Sequence, residues 1–468
     1  MRILFILTEI GSRVPSFHSV SILSAVARQA GHQTALYECE RLSLPDFDEA
    51  VLRFRPDVAA FTSVSQQLPY VRKLIDHCKA RYPHIRTMLG GTHAILRPRV
   101  IEEIAGLDVL AQNESERPFV DYLSALEAGQ DPSDIPNFAI RHGAEVVSPR
   151  RTYTCDEAEM TALPFEDREL FPKWRDTPKG VPLESLGIRP RFWSTRGCPY
   201  ECTYCAVPAL RKSFPEKKFV RCPSPERVIA ELEAVADRWT FSTWIADDDV
   251  WAIRKPWLLE LASKFPSRLK HLGHEVCMRI ECADEDVLRA MKDMNCTLIK
   301  FGLESGDEAL RREVLKRRIT DERTIEVFER CRRLGLKAHT FCIIGFPDET
   351  RRQIWRTVRL NQRLRPDRTQ ISIFYPYAGT ELGEAAMAMG IVEGHGDNYF
   401  NESVLKLTHL WNWEVKLYAK AFRLATYFAY SPRLAIGEII GLLKYLRDKF
   451  FFRTRRYDIE QGMGGQLK

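Results

Sequence analysis

Short runs of apolar residues alternate with segments whose apolar positions recur every three or four residues. In the first 130 residues the runs predict buried parallel strands, and the segments between them predict helices. The strands are expected at residues 3–7, 34–37, 57–61 and 87–89, and the helices at residues 19–29, 47–54 and 70–81. This alternation predicts an α/β domain built on a doubly wound parallel sheet.

Loops rich in small polar residues follow the third and fourth strands, at residues 62–65 and 90–93. In doubly wound sheets ligands bind beyond the carboxyl ends of the strands. Hydroxyl groups and a closely approaching glycine backbone suit a phosphate or a nucleotide tail. No GxGxxG follows the first strand, so a dinucleotide site is the weaker interpretation of this Rossmann-like domain. The candidate binding residues are Thr62, Ser63, Ser65, Gly90 and Gly91.

The alternation stops at residues 131–186, which are rich in proline and acidic residues and predict a linker with one short hairpin. It resumes over residues 187–385. Strands are expected at residues 243–246, 274–278, 298–306, 338–345 and 371–374, with helices at residues 226–238, 257–264, 285–294 and 322–334. About six strand–helix units predict a partial (β/α)6 barrel whose site lies at the C-terminal rim of its strands.

Residues 386–468 predict a helical C-terminal region, with helices at residues 404–430 and 434–450. Between Lys444 and Arg456 there are six basic residues and one Asp. A basic amphipathic helix can lie on an anionic membrane, which gives peripheral contact with the inner face of the membrane and suggests a lipid-like substrate. The alternative is a helix docked over the barrel mouth with its charges in water.

The composition places the protein inside the cell. Hydrophobic residues make up 45% of the chain, which is enough for a large core. The 12 cysteines show no disulfide framework and fit a reducing cytoplasm. The apolar run that opens the chain is too short for a signal peptide, and no run reaches the ~18 residues of a membrane span. A net charge of +6 gives no argument for a nucleic-acid partner.

Three cysteines with the spacing CxxxCxxC lie at the start of the barrel: Cys198, Cys202 and Cys205. Gly197 and Pro199 prevent a helix there, so the thiols share a loop. Soft thiolates select zinc or iron–sulfur. Zinc needs a fourth ligand, and no second CxxC or HxxxH occurs nearby. Three ligands with one vacant corner suit a [4Fe–4S] cluster in which one iron is free.

This loop, with Tyr204 before the last cysteine, resembles the cluster loop of the radical S-adenosylmethionine (SAM) enzymes. The resemblance implies that each cysteine holds one iron, and that the amino and carboxylate groups of SAM chelate the fourth. It also extends to the strand ends. There, Asp247 or Asp248 is implied to hold the SAM amino group, although the run 247–249 also fits a divalent-metal site or a solvated turn.

The remaining strand ends complete this resemblance. Arg279 is implied to hold the SAM carboxylate or the substrate. The pair Glu304 and Ser305 resembles the family's Gly-x-Glu-Ser, which contacts the methionine or ribose part of SAM. Gly345 opens a segment that resembles Gly-x-Pro-x-Glu-Thr, where the backbone approaches adenine.

Placed before such a barrel, the N-terminal domain resembles the cobalamin-binding domain of the cobalamin-dependent radical SAM enzymes. The resemblance rests on the Pro-Asp-Val strand, the Gly-Gly-x-His turn that ends at His93, and Glu114 within Asn-Glu-Ser-Glu, where the family usually has Gly-Glu-Gly-Glu. DxHxxG is absent, so His93 is implied to make a polar contact rather than to ligate cobalt. The alternative is a degenerate α/β domain that only covers the barrel.

The sequence therefore indicates a cobalamin-dependent radical SAM enzyme that methylates an unactivated carbon of a small-molecule or lipid-like substrate. The resemblance implies a 5′-deoxyadenosyl radical, methylcobalamin, and an electron donor such as flavodoxin or ferredoxin. One alternative is an oxidative cyclase or rearrangement enzyme resembling the anaerobic magnesium-protoporphyrin ester cyclase. A methylthiotransferase fits less well, because residues 1–150 contain only Cys39 and Cys78. A cobalamin carrier would leave the three cysteines without a purpose.

Overall fold

Two β-sheets, each covered by helices, form the protein; the second sheet is parallel, and the first is parallel except for a hairpin at one edge. This computed structural model describes residues 1–10, 17–214, 219–394, 403–441 and 443–444. The first sheet has seven strands in the order β2-β1-β3-β4-β5-β6-β7. Its strands are β1 (Arg2–Thr8), β2 (Gln33–Cys39), β3 (Val58–Thr62), β4 (Arg86–Gly90), β5 (Val109–Ala111), β6 (Phe138–His142) and β7 (Glu145–Val147).

Six helices cover this sheet on both faces, which confirms the predicted doubly wound domain. They are α1 (Phe17–Gln29), α2 (Leu44–Phe54), α3 (Leu68–Arg81), α4 (Thr92–Leu96), α5 (Val100–Glu103) and α6 (Glu116–Glu127). Successive residues of β1 point to opposite faces. Phe5 packs with Phe119 of α6 on one face, and Leu4 packs with Val71 of α3 on the other.

The predicted boundary at residue 130 falls inside this sheet. The hairpin of β6 and β7, which the sequence assigned to the linker, pairs antiparallel with β5. A three-residue strand such as β5 would otherwise leave an exposed sheet edge, and the hairpin covers it. The linker after it is packed: it carries α7 (Glu157–Ala162) and α8 (Pro172–Arg175), and Trp174 stacks edge-on against Trp239 at 5.1 Å.

The second sheet contains six parallel strands in the order β13-β12-β11-β10-β9-β8, and the sequence located all of them except β8. They are β8 (Arg191–Phe192), β9 (Thr243–Ala246), β10 (Gly273–Met278), β11 (Cys296–Glu304), β12 (Ala338–Ile344) and β13 (Arg368–Ile373). The helices are α9 (Ala206–Arg211), α10 (Pro225–Arg238), α11 (Lys255–Lys264), α12 (Glu285–Asp293), α13 (Asp321–Leu334) and α14 (Arg351–Leu364).

The C-terminal region contains α15 (Glu381–Ala388), α16 (Asn412–Phe428) and a helix over residues 432–441. The predicted helix start at residue 404 was wrong, because Leu405 forms a β-bridge with Val392 and α16 begins only after Trp411. Most of the predicted basic segment, residues 445–456, lies outside the described residues. None of the described helices has the length and apolar character that crossing a bilayer requires.

Gly306, in the turn after β11, allows α14 to pack directly on the barrel. A Cβ atom at this position would lie 2.5 Å from the carbonyl oxygen of Arg356 on α14. Backbone cannot move aside as a flexible side chain can, so any side chain here must separate the strand from the helix.

We expect Gly306→Ala to lower the apparent melting temperature, because overpacking of this kind costs about 1–3 kcal/mol. Gly437→Ala is the matched control, since nothing lies within 4 Å of the Cβ position there. The control should be neutral or slightly stabilising. Circular dichroism melts of the two variants make the comparison, and equal melting temperatures would contradict the close approach at Gly306.

Candidate active site at the junction of the two domains

The loop that carries the three cysteines is anchored by backbone contacts. Arg196 and Arg221 exchange two backbone hydrogen bonds of 2.9 Å at its start. Gly197 follows with φ of +85°, and a Cβ atom there would collide with the carbonyl of Phe219. Glycine is therefore required where the loop turns toward the barrel.

The three thiols of this loop lie together at the rim of the barrel. Burial raises the pKa of Cys198 to about 11 and that of Cys205 to about 12, and Cys202 adds to both shifts. Nowhere in the described part of the chain are three His, Cys, Asp or Glu side chains placed around a single metal ion. Three thiolates on one loop would repel one another, so they suit a cluster that gives each sulfur its own iron.

Two arginines approach the sulfur of Cys202. Arg279, after β10, donates to Cys202 Sγ at 3.0 Å, and Arg317 donates to the same sulfur at 3.7 Å. Arg279 stacks on the ring of Tyr200, with 3.6 Å between the guanidinium carbon and the ring centroid, and pairs with Glu281. The two hydrogen bonds place positive charge beside the sulfur of a predicted cluster ligand. The sequence predicted Arg279 but gave no signal for Arg317.

Glu304 and Tyr204 meet Arg317 on the other side of the loop. Arg317 donates to the hydroxyl of Tyr204 at 3.4 Å and to the backbone carbonyl of Gly302. Glu304 has φ of +66°, so its side chain folds back over Gly302, where a Cβ atom would lie 2.5 Å from its carboxylate. Burial raises the pKa of Glu304. Of the predicted pair, only Glu304 reaches the loop, because Ser305 contacts Thr357 of α14 at 3.4 Å.

The three aspartates after β9 have different environments. Asp247 pairs with Arg191 and His18. Asp248 accepts hydrogen bonds from Ser194 and from a backbone amide, and burial raises its pKa to about 7. Asp249 alone opens into the cavity between the domains, where its enclosed setting raises its pKa to about 6. Because the three carboxylates have different partners, they do not form the shared set of oxygen ligands that a divalent ion needs.

Gly345 begins the loop after β12. Its backbone amide and that of Phe346 donate to the carboxylate of Glu349 at 2.6 and 3.3 Å. Burial raises the pKa of Glu349 to about 8. The side chain of Glu349 therefore fixes the backbone of the loop in which adenine is predicted to bind.

A cavity of about 370 Å³ lies between the two domains and reaches the cysteine loop. Its first wall comes from the strand ends of the N-terminal sheet, and its second wall from the cluster loop and α9. The N-terminal wall includes Phe5, Thr62, Met88, Gly90, Gly91 and Glu114, and the barrel wall includes Gly197, Val207, Leu210, Phe219 and Asp249. A volume of this size with an apolar lining and few polar groups is typical of a cofactor site.

The predicted N-terminal residues divide into two groups. Thr62, Gly90, Gly91 and Glu114 line the cavity. Ser63, Ser65 and His93 stabilise the loops instead, since Ser63 donates to a neighbouring carbonyl at 2.8 Å and His93 Nδ1 lies 3.0 Å from Ser65 Oγ. Burial lowers the pKa of His93, so its ring is neutral and suited to a polar contact.

Buried polar atoms in this wall lack protein partners. The side-chain oxygens Thr62 Oγ1, Asn113 Oδ1 and Glu116 Oε2 are buried without a hydrogen bond within the described residues, and all three residues line the cavity. Unpaired buried oxygens are costly unless a ligand or water satisfies them. They fit a group with amide donors at its periphery, and the apolar wall fits a flat macrocycle.

Glu114 joins the N-terminal domain to the cysteine loop. Its carboxylate pairs with Arg196 at 3.0 Å and with Arg221 at 2.7 Å, and Glu116 pairs with Arg196 at 2.6 Å. Burial opposes ionisation of Glu114, but Arg196, Arg221 and the backbone amide of Cys155 together outweigh it and hold the pKa of Glu114 below its usual range. Both acids of the Asn-Glu-Ser-Glu segment thus form ion pairs that join the two domains.

Comparison with known proteins decides the family. Residues 4–123 match the B12 binding domain, and residues 194–360 match the Radical SAM superfamily. The chain is a cobalamin-binding radical SAM enzyme. Its cofactors are a [4Fe–4S] cluster, SAM and cobalamin. The thiol loop fits the cluster, and the unpaired oxygens of the cavity fit cobalamin.

Relatives of this radical SAM enzyme resemble it over most of the chain. An uncharacterized methyltransferase of Pyrococcus horikoshii is 25% identical over 438 residues, which are 92% of this chain and 89% of that protein. The anaerobic magnesium-protoporphyrin IX monomethyl ester cyclase of Rubrivivax gelatinosus is 20% identical over 82% of this chain and 69% of its own.

A solved structure shares the fold of this radical SAM enzyme. The radical SAM methyltransferase TsrM from Kitasatospora setae superposes with a TM-score of 0.63 at 16% identity, over 84% of this chain and 77% of its own. This similarity extends across both domains, so the arrangement of the two sheets is that of a known fold.

His18, at the start of α1, forms a second ionic link between the domains of the enzyme. Its ring contacts Glu166 of the linker at 2.6 Å and Asp247 of the barrel at 3.2 Å. Burial favours the neutral ring, but the two carboxylates outweigh it and raise the pKa of His18 to about 9. Arg168 and Arg191 are the cations beside these acids. The sequence gave no signal for this contact.

We expect this link to make stability depend on pH. Because the pKa of His18 rises from 6.5 to about 9, its contribution is complete below pH 6.5 and is lost as the pH rises through about 9. The shift corresponds to a difference on the order of 3 kcal/mol. The melting temperature of His18→Gln should lie below that of the wild type at pH 6.5, and the gap should narrow above pH 9. Exposed His84→Gln is the control, and a gap that widens with pH would contradict the assignment.

Proposed function

We propose that the protein is a cobalamin-dependent radical SAM methyltransferase that methylates an unactivated carbon of a small-molecule or lipid-like substrate. The observation that carries this proposal is the shared cavity. Its walls come from the strand ends of the B12 binding domain and from the cysteine loop, with no layer of protein between them. The methyl carrier and the radical source must converge on one carbon, and a shared cavity permits this.

The cofactors, the cysteine loop and the lining of the cavity have separate roles in the proposed reaction. When bound, the cluster supplies the electron that cleaves SAM, and cobalamin supplies the methyl group. The three cysteines would hold the cluster, while Arg279 and Arg317 donate hydrogen bonds to the sulfur of Cys202. Apolar side chains of the cavity, including those of Phe5, Met88, Leu210, Phe214 and Phe219, exclude water from the reacting centre.

Asp249 is our candidate for the SAM amino group. The sequence indicated Asp247 or Asp248, but the side chains of these two residues are engaged with His18, Arg191 and Ser194. Asp249 faces the cavity and lies close enough to Cys198 and Cys205 to raise the pKa of both thiols. A carboxylate there can accept hydrogen bonds from an ammonium group held beside the cysteine loop.

Anaerobic reconstitution tests the proposal. Wild-type protein treated with iron, sulfide and hydroxocobalamin should retain four irons and one corrin per chain, and should form 5′-deoxyadenosine from SAM under dithionite. Cys202→Ala should lose the cluster and deoxyadenosine but keep the corrin. Buried Cys331→Ala, far from the loop, is the matched control and should keep all three properties. Zinc in place of iron in wild-type protein would overturn the assignment.

The product separates methylation from cyclisation. With a substrate in hand, SAM that carries a labelled methyl group should transfer the label and add the mass of one methylene unit to the product. The relationship to the anaerobic cyclase makes ring closure the second candidate. A product that has lost hydrogen and carries no label would favour the cyclase.

Asp249→Asn should weaken SAM binding by about tenfold or more, because a charge-assisted hydrogen bond becomes a neutral one. Isothermal titration of cluster-loaded protein measures the affinity, and the cluster content of the variant should be unchanged. Asp134→Asn, at an exposed position of the linker, is the control. Unchanged SAM affinity in Asp249→Asn would exclude this residue and return the assignment to Asp247 or Asp248.

A further inference from the structure

Helix α16 carries an apolar stripe on the side that faces solvent. Five residues spaced three or four apart share this side, and we name them the α16 stripe: Trp413, Leu417, Ala421, Leu424 and Phe428. The opposite side of the helix holds Val415, Ala419 and Phe422, which are buried against the barrel. The packing of α16 is therefore complete without the stripe, and the core does not need it.

The side chains of the stripe are unusually exposed for their type. Trp413 is 63% exposed, Leu417 57% and Phe428 80%, and neighbouring Trp411 is 67% exposed. In the barrel, by contrast, Trp244 is only 2% exposed. Single exposed apolar residues are common, but a row of them on one helix marks an interaction surface.

Cations lie along both edges of the α16 stripe. On one edge α14 packs beside α16, with Trp355 against Tyr418 at 6.4 Å, and its outward side carries Arg352 and Arg359. Neither arginine has an acidic partner within the described ranges of the chain. On the other edge α16 itself carries Lys416 and Lys420.

Two acids near the stripe are already paired. Glu414 accepts two hydrogen bonds from Arg351 at 2.9 and 2.7 Å, and Asp307 pairs with Arg356 of α14. The surface on which the stripe lies is therefore apolar along its centre and cationic along its edges. It complements a partner with an apolar interior and an anionic boundary.

We propose that the α16 stripe and its cationic edges dock the protein on a bilayer that contains anionic phospholipid. A helix that lies in a membrane interface has this arrangement, with Trp, Leu and Phe inserted and Lys and Arg at the level of the headgroups. Tryptophan in particular prefers the interface, because its ring is apolar and its N–H is polar. This inference does not depend on the reaction proposed above, since it concerns only the outer surface.

The position of the stripe relates the membrane to the active site. α16 packs on the loop after β12, where a Cβ atom on Gly345 would lie 3.2 Å from Val415. Thr350, in the same loop, is the N-cap of α14. The stripe thus starts beside the barrel rim, so docking would bring the open end of the barrel close to the headgroups.

Vesicle flotation of the full-length protein tests the proposal. The vesicles are pure phosphatidylcholine or an equimolar mixture of phosphatidylcholine and phosphatidylglycerol. We expect wild-type protein to float with the mixed vesicles, to float less with the neutral ones, and to be released by added salt. Bromine-labelled lipid in the mixed vesicles should quench tryptophan fluorescence, which reports insertion of the rings.

Two variants separate the apolar and the ionic contributions. The triple variant Trp413→Gln, Leu417→Gln, Phe428→Gln should lower the partition coefficient about a hundredfold on mixed vesicles and abolish quenching. Its control exchanges three exposed apolar residues elsewhere, Leu52, Leu186 and Met389, for Gln. The double variant Arg352→Gln, Arg359→Gln should lower the partition coefficient about tenfold, and only on mixed vesicles. Its control replaces two exposed arginines elsewhere, Arg53 and Arg99, with Gln. Unchanged circular dichroism confirms folding.

Five results would overturn the proposal. The first two are a wild-type protein that does not float, and a triple variant that floats as well as the wild type does. Binding lost only on deletion of residues 445–468 would assign docking to the basic tail that the sequence indicated. A single-stranded oligonucleotide that displaces protein from mixed vesicles would assign the cations to nucleic acid. Sedimentation equilibrium that shows a wild-type dimer and a monomeric triple variant would assign the stripe to a second copy of this chain.

Discussion

The buried ion pairs of Arg196 are the contact on which the arrangement of both cofactor sites depends. Arg196 immediately precedes the cysteine loop, and its guanidinium is held by Glu114 and Glu116 of the N-terminal domain. All three side chains are largely buried, so removal of one partner leaves a charge without compensation, which typically costs 3–5 kcal/mol. The distance between the strand ends that bind cobalamin and the loop that binds the cluster is therefore set by charge as well as by shape.

Most of the fold follows from the order of residues along the chain. Parallel strands buried on both faces appear as continuous apolar runs, which is why β1 and β9 were placed within a residue of their observed bounds. The hairpin of β6 and β7 was predicted as an element but assigned to the linker, because no local signal says that it pairs with β5. The start of α16 was misplaced since the apolar residues from Val404 onward pack on the barrel in an extended conformation.

The site was only partly predictable, for a related reason. Strand-end position shows which residues reach the rim, but the direction of each side chain depends on the turn that follows. Asp248 turns inward to Ser194 while Asp249 opens into the cavity, and Ser305 turns away from the loop that Glu304 reaches. Arg317 lies 115 residues from Cys202 in sequence, and no short motif records such a contact.

The ion pairs between the two domains also limit which N-terminal domains can be combined with which barrels in enzymes of this group. Glu114 and Glu116 belong to one domain, and Arg196 and Arg221 to the other, yet they act as a single charge-matched unit. A chimera that takes its N-terminal domain from a relative with a different acidic segment would bring neutral or mismatched groups against two buried guanidinium groups. Domain shuffling within this group of enzymes is thus restricted to donors that carry the matching acids, or to exchanges in which both halves of the junction move together.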